Sequence, residues 1–194
     1  MPVSHLLYLH GFRSSPKSTK ARQVAERVKE QHPGVTWWCP QLPPSPREAM
    51  ALLLQGTRAW PRERMGVIGS SLGGFYATQV AEATGCRAVL LNPAIDPARD
   101  LVKYVGEQTA WHDPQQRFFF EPAFVDELRA LECGQLAEPE KYFAVIAKGD
   151  EVLDWREMAS RYAGARIKLL EGSDHALSDF HAHVDEVFDF LGLV

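Results

Sequence analysis

A serine hydroxyl becomes a nucleophile only when a base and an acid stand beside it, and this chain carries candidates for all three. The clearest is in Gly69-Ser70-Ser71-Leu72-Gly73, the pattern G-x-S-x-G, directly behind an apolar run and ahead of a helical pattern. A serine at the centre of such a turn has a strained backbone. Its hydroxyl stands at a helix N-terminus, where the dipole favours developing negative charge. Gly69 and Gly73 are required because side chains there would collide with the adjoining strand and helix. The spacing predicts Ser71 as the nucleophile, with Ser70 pointing aside.

Of the seven histidines, His175 in "EGSDHAL" follows the last strand-like run and precedes an amphipathic segment, where a general base is wanted. His181 and His183, two apart on a predicted helix, face different directions and do not suggest a metal site. His5 opens a strand, His32 closes a helix and His112 lies in an irregular stretch. His10 follows the first strand together with Gly11. There the backbone can turn inward, so that the Phe12 amide, with that of Leu72, points at a developing oxyanion. His10 then supports the loop and is not the base. For the acid that orients the base, Asp150 and Asp154 compete in "KGDEVLDW". Asp150 follows a strand directly and is favoured, whereas Asp154 reads as a helix N-cap. Asp174 is expected to face solvent.

These residues need a scaffold, and the apolar patterning supplies one. Short β-branched or apolar runs at residues 5–10, 35–39, 65–69, 86–93, 141–149 and 165–172 read as six strands. Helical patterns intervene from Ser18 to about His32, from Ser45, from Leu72 to about Thr84 and from about Asp154 to Tyr162. A last one runs over Asp179–Leu191. "SPRE" gives the second helix a capping serine, a first-turn proline and, in Glu48, the partner for a capping box. The alternation implies an α/β fold with a parallel sheet covered on both faces, and ligands in such folds bind beyond the carboxyl ends of the strands. The candidates, with Asn92 after the fourth strand, fall at those ends. About residues 95–140 read as an insertion with one or two helices, Phe124–Leu131 being the clearest. Its Trp111, Phe118, Phe119, Phe120 and Phe124 either line an acyl pocket or only cover the sheet.

At 194 residues the chain suits one domain, residues 1–194, with the insertion inside it. A net charge of -4, from 21 basic and 25 acidic residues, recruits neither nucleic acid nor an anionic membrane. The apolar run near the N-terminus is too short for a signal peptide or a membrane span. Cys39, Cys86 and Cys133 form no CxxC pattern, so a reduced, cytoplasmic setting is expected. Arg13, Lys17, Lys20 and Arg22 either greet a phosphate-bearing leaving group or form a solvated helix face.

"LLYLHGF", "PQLPP", "GSSLGG", "NPA", "GDEVLD" and "GSDHA" together resemble the small bacterial YqiA-type esterases of the α/β-hydrolase superfamily, from about residue 5 to the C-terminus. The resemblance implies a three-layer α/β-hydrolase fold of about six mainly parallel strands, lacking the first two strands of larger hydrolases. It implies a serine esterase acting on acyl esters or thioesters, with no cofactor and no metal, and roles for Ser71, Asp150 and His175 in the chain order Ser…Asp…His. The superfamily often sets the acid after a longer Gly-x-x-Asp turn. Here Gly149 directly precedes Asp150, which keeps Asp154 open. The contrasting reading is a non-catalytic binding module on the same scaffold.

Overall fold

A computed structural model describes residues 2–193. Its main sheet has six parallel strands: β1 (His5–Leu9), β2 (Thr36–Trp38), β3 (Met65–Ser70), β4 (Arg87–Leu91), β7 (Tyr142–Ala147) and β8 (Arg166–Leu170). Their order is β2-β1-β3-β4-β7-β8. From β1 the chain runs outward to β2, then returns on β1's other side as β3 and continues in the opposite direction. The switch point therefore lies between β1 and β3, and a crevice opens beyond their carboxyl ends.

The four inner strands, β1, β3, β4 and β7, are mainly apolar because both faces are covered, whereas the edge strands β2 and β8 are partly exposed. On one face Leu7, Leu9, Val67, Leu90, Ala144 and Ile146 pack under α2 (Pro46–Gly56), α3 (Leu72–Thr84) and α6 (Trp155–Arg161). On the other, Leu6, Tyr8, Ile68, Val89, Phe143 and Val145 meet α1 (Thr19–Gln31) and α7 (Val184–Phe190). This is the three-layer arrangement expected from the alternating pattern.

Ser45 caps α2 by accepting the Glu48 N–H at 3.2 Å. The rest of the expected capping box is replaced from outside: Glu127 accepts from the Ser45 hydroxyl at 2.7 Å and from the Arg47 N–H at 3.1 Å. Glu127 belongs to α5 (Pro122–Leu131), so this cap also docks the insertion on the body of the fold.

The insertion holds α4 (Pro97–Leu101) and α5, and between them an antiparallel hairpin, β5 (Gly106–Ala110) and β6 (Asp113–Phe120), which the sequence reading did not foresee. "GEQTA" and "DPQQRFFF" lack the apolar alternation that marks a half-buried strand, because most of β6 faces solvent. Cross-hairpin pairing, including Arg117 with Glu107 at 2.7 Å, holds it instead. The expected terminal helix over 179–191 is also corrected. A tight turn at Phe180–Ala182, closed by the His183 N–H on the Phe180 carbonyl at 2.9 Å, precedes a shorter α7.

Candidate active site

Ser71 stands between β3 and α3 with φ 55°, a left-handed backbone that a non-glycine residue adopts at a cost of about 1–3 kcal/mol. The elbow exists because its neighbours lack side chains. A Cβ at Gly73 would lie 2.0 Å from the Leu9 carbonyl oxygen, and one at Gly69 would lie 2.1 Å from the Gly73 carbonyl oxygen. Gly11 packs against Ser71 itself, where a Cβ would meet the Ser71 Cβ at 3.3 Å. Ser70 is the last residue of β3 and is buried.

The Ser71 Oγ lies 3.0 Å from His175 Nε2, and His175 Nδ1 lies 2.8 Å from Asp150 Oδ2. The Asp150 side chain is 0% exposed and the His175 side chain 21%. The other Asp150 oxygen accepts the Val152 and Leu153 N–H groups, each at 2.8 Å, so the side chain is held by three hydrogen bonds. Asp154 is elsewhere: it is the N-cap of α6, accepts the Arg156 N–H at 2.9 Å and has a side chain 51% exposed. Gly149 fits directly under the loop that carries His175, where a Cβ would lie 2.3 Å from the Ser173 carbonyl oxygen.

Near Ser71, among the described residues, the Leu72 and Phe12 N–H groups have no backbone acceptor. Leu72 is the first residue of α3, where helical N–H groups have no partner in the helix. The Phe12 loop is tied down by His10, whose Nε2 accepts the Leu42 N–H at 3.1 Å while its Nδ1 meets the Gly11 carbonyl at 3.0 Å. Burial holds the His10 imidazole below its ordinary pKa. The neutral ring then donates on one side and accepts on the other.

Asn92 had been placed by the sequence only at a strand end, with no role. It is fully buried, has φ 42° and bridges the two loops that carry Asp150 and His175. Its Oδ1 accepts the Ala147 N–H at 2.8 Å, and its Nδ2 donates to the carbonyls of Asp174 (2.9 Å) and His175 (3.1 Å). Glu151 adds a further bond, accepting the His175 N–H at 3.0 Å. A polar residue ending a buried strand was the available signal. Which loops it spans depends on strand order.

Two cavities meet at the Phe12 loop. The larger, about 530 Å³, runs past Phe12, Leu42, Leu72, Tyr76, Phe118 and Phe120 and is mostly apolar, with Arg13, Gln41 and His112 on its wall. The smaller, about 390 Å³, contains Ser71 and His175. Of the insertion aromatics, Phe118 and Phe120 line the larger cavity and Trp111 the smaller, while Phe119 is exposed and Phe124 packs on Phe120. Arg13 binds the hairpin to the Phe12 loop. Its Nε donates to the Thr109 carbonyl at 2.6 Å, its guanidinium lies 4.0 Å from the Trp111 ring centroid, and its carbonyl accepts the Trp111 N–H at 2.8 Å. Lys20 reaches the Ala176 carbonyl beside His175, and burial pulls its ammonium down to about 8. Arg22 is exposed and Lys17 likewise.

His181, His183, His5, His32 and His112 do not approach Ser71 by hydrogen bonding; His183 Nε2 pairs with Asp179 at 3.3 Å. Among the described residues, no group of three or more His, Cys, Asp or Glu side chains is arranged to hold a metal ion. No described helix is long and apolar enough to cross a membrane.

A six-stranded parallel sheet between two helical layers, with a serine elbow after its central strand, defines the α/β-hydrolase fold. Solved structures agree. A proposed hydrolase from Agrobacterium vitis S4 is similar at 16% identity over 98% of this chain and 91% of that one, TM-score 0.76. The mouse α/β hydrolase domain-containing protein 10 is similar at 16% identity over 96% and 90%, TM-score 0.71. A structure from work on the metagenome-derived lipolytic enzymes LipS and LipT is similar at 18% identity over 98% and 94%, TM-score 0.70. The chain itself belongs to UPF0227, an uncharacterised protein family whose pattern matches residues 5–192; this is the YqiA-like family.

Proposed function

We propose that the protein is a serine hydrolase that cleaves acyl esters through an acyl-enzyme on Ser71. The observation that carries this reading is the unbroken chain of short contacts from the Ser71 hydroxyl through the His175 imidazole to the buried Asp150 carboxylate. Asp150 holds the Nδ1–H tautomer and stabilises the imidazolium that forms, so Nε2 is free to accept a proton. As Ser71 Oγ bonds to the substrate carbonyl carbon, its proton passes to Nε2. The carbonyl oxygen becomes an oxyanion facing the Leu72 and Phe12 N–H groups, each worth about 3 kcal/mol of barrier. His175 then gives its proton to the leaving oxygen as the carbon–oxygen bond breaks, and the alcohol departs. Water, deprotonated by the same nitrogen, attacks the acyl-serine and releases the acid.

A thioester passes through the same steps with sulfur leaving. The apolar cavity of about 530 Å³ beside the Leu72 amide gives an acyl chain room, which favours substrates longer than acetyl. The lipolytic activity of the metagenome-derived relatives fits the same class of substrate. A short-chain chromogenic ester, a panel of esters and thioesters of rising chain length, and a fluorophosphonate probe test the proposal. Wild type should label stoichiometrically at Ser71, and Ser71→Ala should stay folded while turnover falls by about 10⁶-fold. Near-wild-type turnover in that variant would remove Ser71 from the role. A folded wild type that neither labels nor turns over would leave a binding module.

A further inference from the structure

The cavity holding Ser71 and His175 is richer in hydroxyls than its mostly apolar neighbour. Around it stand the hydroxyls of Ser14, Ser18, Thr19 and Ser178, the Gln23 amide and the Lys20 ammonium. No aspartate or glutamate is among its lining residues, in a chain with more acidic than basic side chains. Among the described residues Lys20 forms no ion pair with a carboxylate, and of its three donors only one is engaged, by the Ala176 carbonyl. The Tyr8 hydroxyl, enclosed between Ser18 and Ser70, meets no partner in hydrogen-bond geometry, nor does the Gln23 carbonyl oxygen. The desolvation of this partly buried ammonium outweighs what the charges of Asp174 and Asp150 return to it, and neither carboxylate pairs with it directly. The spare donors face space that includes the nucleophile.

The direction of the chemistry says which half of the substrate enters. The leaving atom must take its proton from His175 Nε2, so the leaving group departs on the side where that nitrogen lines the wall. That wall belongs to the smaller cavity, whereas the apolar one is lined by neither Ser71 nor His175. Resting on the serine-hydrolase reading, we infer that the alcohol or thiol half of the substrate carries an oxyanionic group, a carboxylate or a phosphate, bound by Lys20. Lys20 is then a specificity residue. Ser18, at the start of the same helix turn, supplies a neutral donor next to it, and α1's N-terminal N–H groups add to the positive field. The cavity of about 390 Å³ suits a compact anion close to the scissile bond.

The test uses three butyrates with the same acyl group: phenyl, 3-carboxyphenyl and 3-phosphooxyphenyl butyrate. The quantity read is kcat/KM for each anionic ester divided by that for phenyl butyrate, compared between wild type and Lys20→Met, which cancels the intrinsic reactivity of the leaving groups. The ratio should fall about ten- to a hundredfold in Lys20→Met, the range for a lost charge-assisted hydrogen bond, chiefly through KM, and Lys20→Arg should restore most of it. The anion with the larger fall identifies carboxylate or phosphate. Equal losses on all three esters would make Lys20 only a brace for the Ala176 loop, and unchanged ratios would remove it from recognition; either result overturns the inference. Should Lys20→Met fail to fold, wild-type labelling by a fluorophosphonate can be run against phenyl phosphate, benzoate and phenol. Protection by the anions above that by phenol is expected, and equal protection overturns it. Failure of Ser71 to label at all would instead sink the hydrolase reading beneath.

Discussion

Replacing Asn92 by alanine probes how one side chain couples the Asp150 loop to the His175 loop. The substitution removes three hydrogen bonds. It leaves the Ala147 N–H, buried at the end of β7, without a partner, which costs about 1–3 kcal/mol, and frees two loop carbonyls at about 1 kcal/mol together. An alanine at φ 42° is less at ease than asparagine by about 1 kcal/mol. The total, about 3–5 kcal/mol, is a large part of an ordinary domain's stability and corresponds to a Tm lower by roughly 10 °C for a chain of this size. The effect on chemistry should exceed the effect on folding at 20 °C. A misplacement of about 1 Å between the imidazole and the hydroxyl costs roughly 10²-fold in rate. Asn92→Asp keeps the shape and the acceptor for Ala147 but turns an oxygen toward two carbonyl oxygens, so it should lose activity at least as badly. The assay is thermal unfolding together with the fluorophosphonate labelling rate at Ser71, measured well below each variant's Tm. If Asn92→Ala melts earlier yet labels within about twofold of wild type, the amide is structural glue and the coupling argument is wrong.

Asp150→Asn should keep the fold but lower kcat by about 10⁴-fold, since the amide favours the wrong imidazole tautomer, whereas Asp154→Asn, which changes only a cap, should stay within severalfold; ester kinetics on both variants decide it. Gly73→Ala drives a methyl into the Leu9 carbonyl at 2.0 Å, so soluble yield and circular dichroism should report a misfolded or strongly destabilised protein, and a normal Tm would refute the close packing. Hydrogen bonds hold the Asp174, Asp179 and Glu186 carboxyls below their ordinary pKa: to the Ser178 hydroxyl, the Ser173 hydroxyl and the Lys168 ammonium respectively. Groups depressed in the folded state favour it above the ordinary carboxylate range, and that contribution is lost as pH falls through that range and below. Tm should therefore drop between pH 5 and 3, and Asp179→Asn should shallow the slope; an unchanged slope would count against the Ser173 and His183 contacts.

The sheet was legible because Leu6–Leu9, Val67–Ile68 and Val89–Leu91 must be apolar on both faces, and periodicity reports that directly. The elbow was legible because Gly69 and Gly73 answer to local sterics. The hairpin was not, since Gln115 and Gln116 are exposed and its pairing is made by backbone and by exposed charges. Nor was the bridging role of Asn92 or the reach of Lys20 to Ala176, which join residues 55 to 156 positions apart. Such contacts follow from strand order. A single sequence encodes that order only through the summed packing of the whole molecule.

The threefold attachment of Arg13 to Thr109 and Trp111 has a kinetic consequence. Raising the hairpin as a flap would drag on the same segment that presents the Phe12 amide. Under the proposed mechanism, admission of substrate and readiness of the electrostatic cradle would then be coupled, and an open molecule would be poorly armed against half-seated substrate.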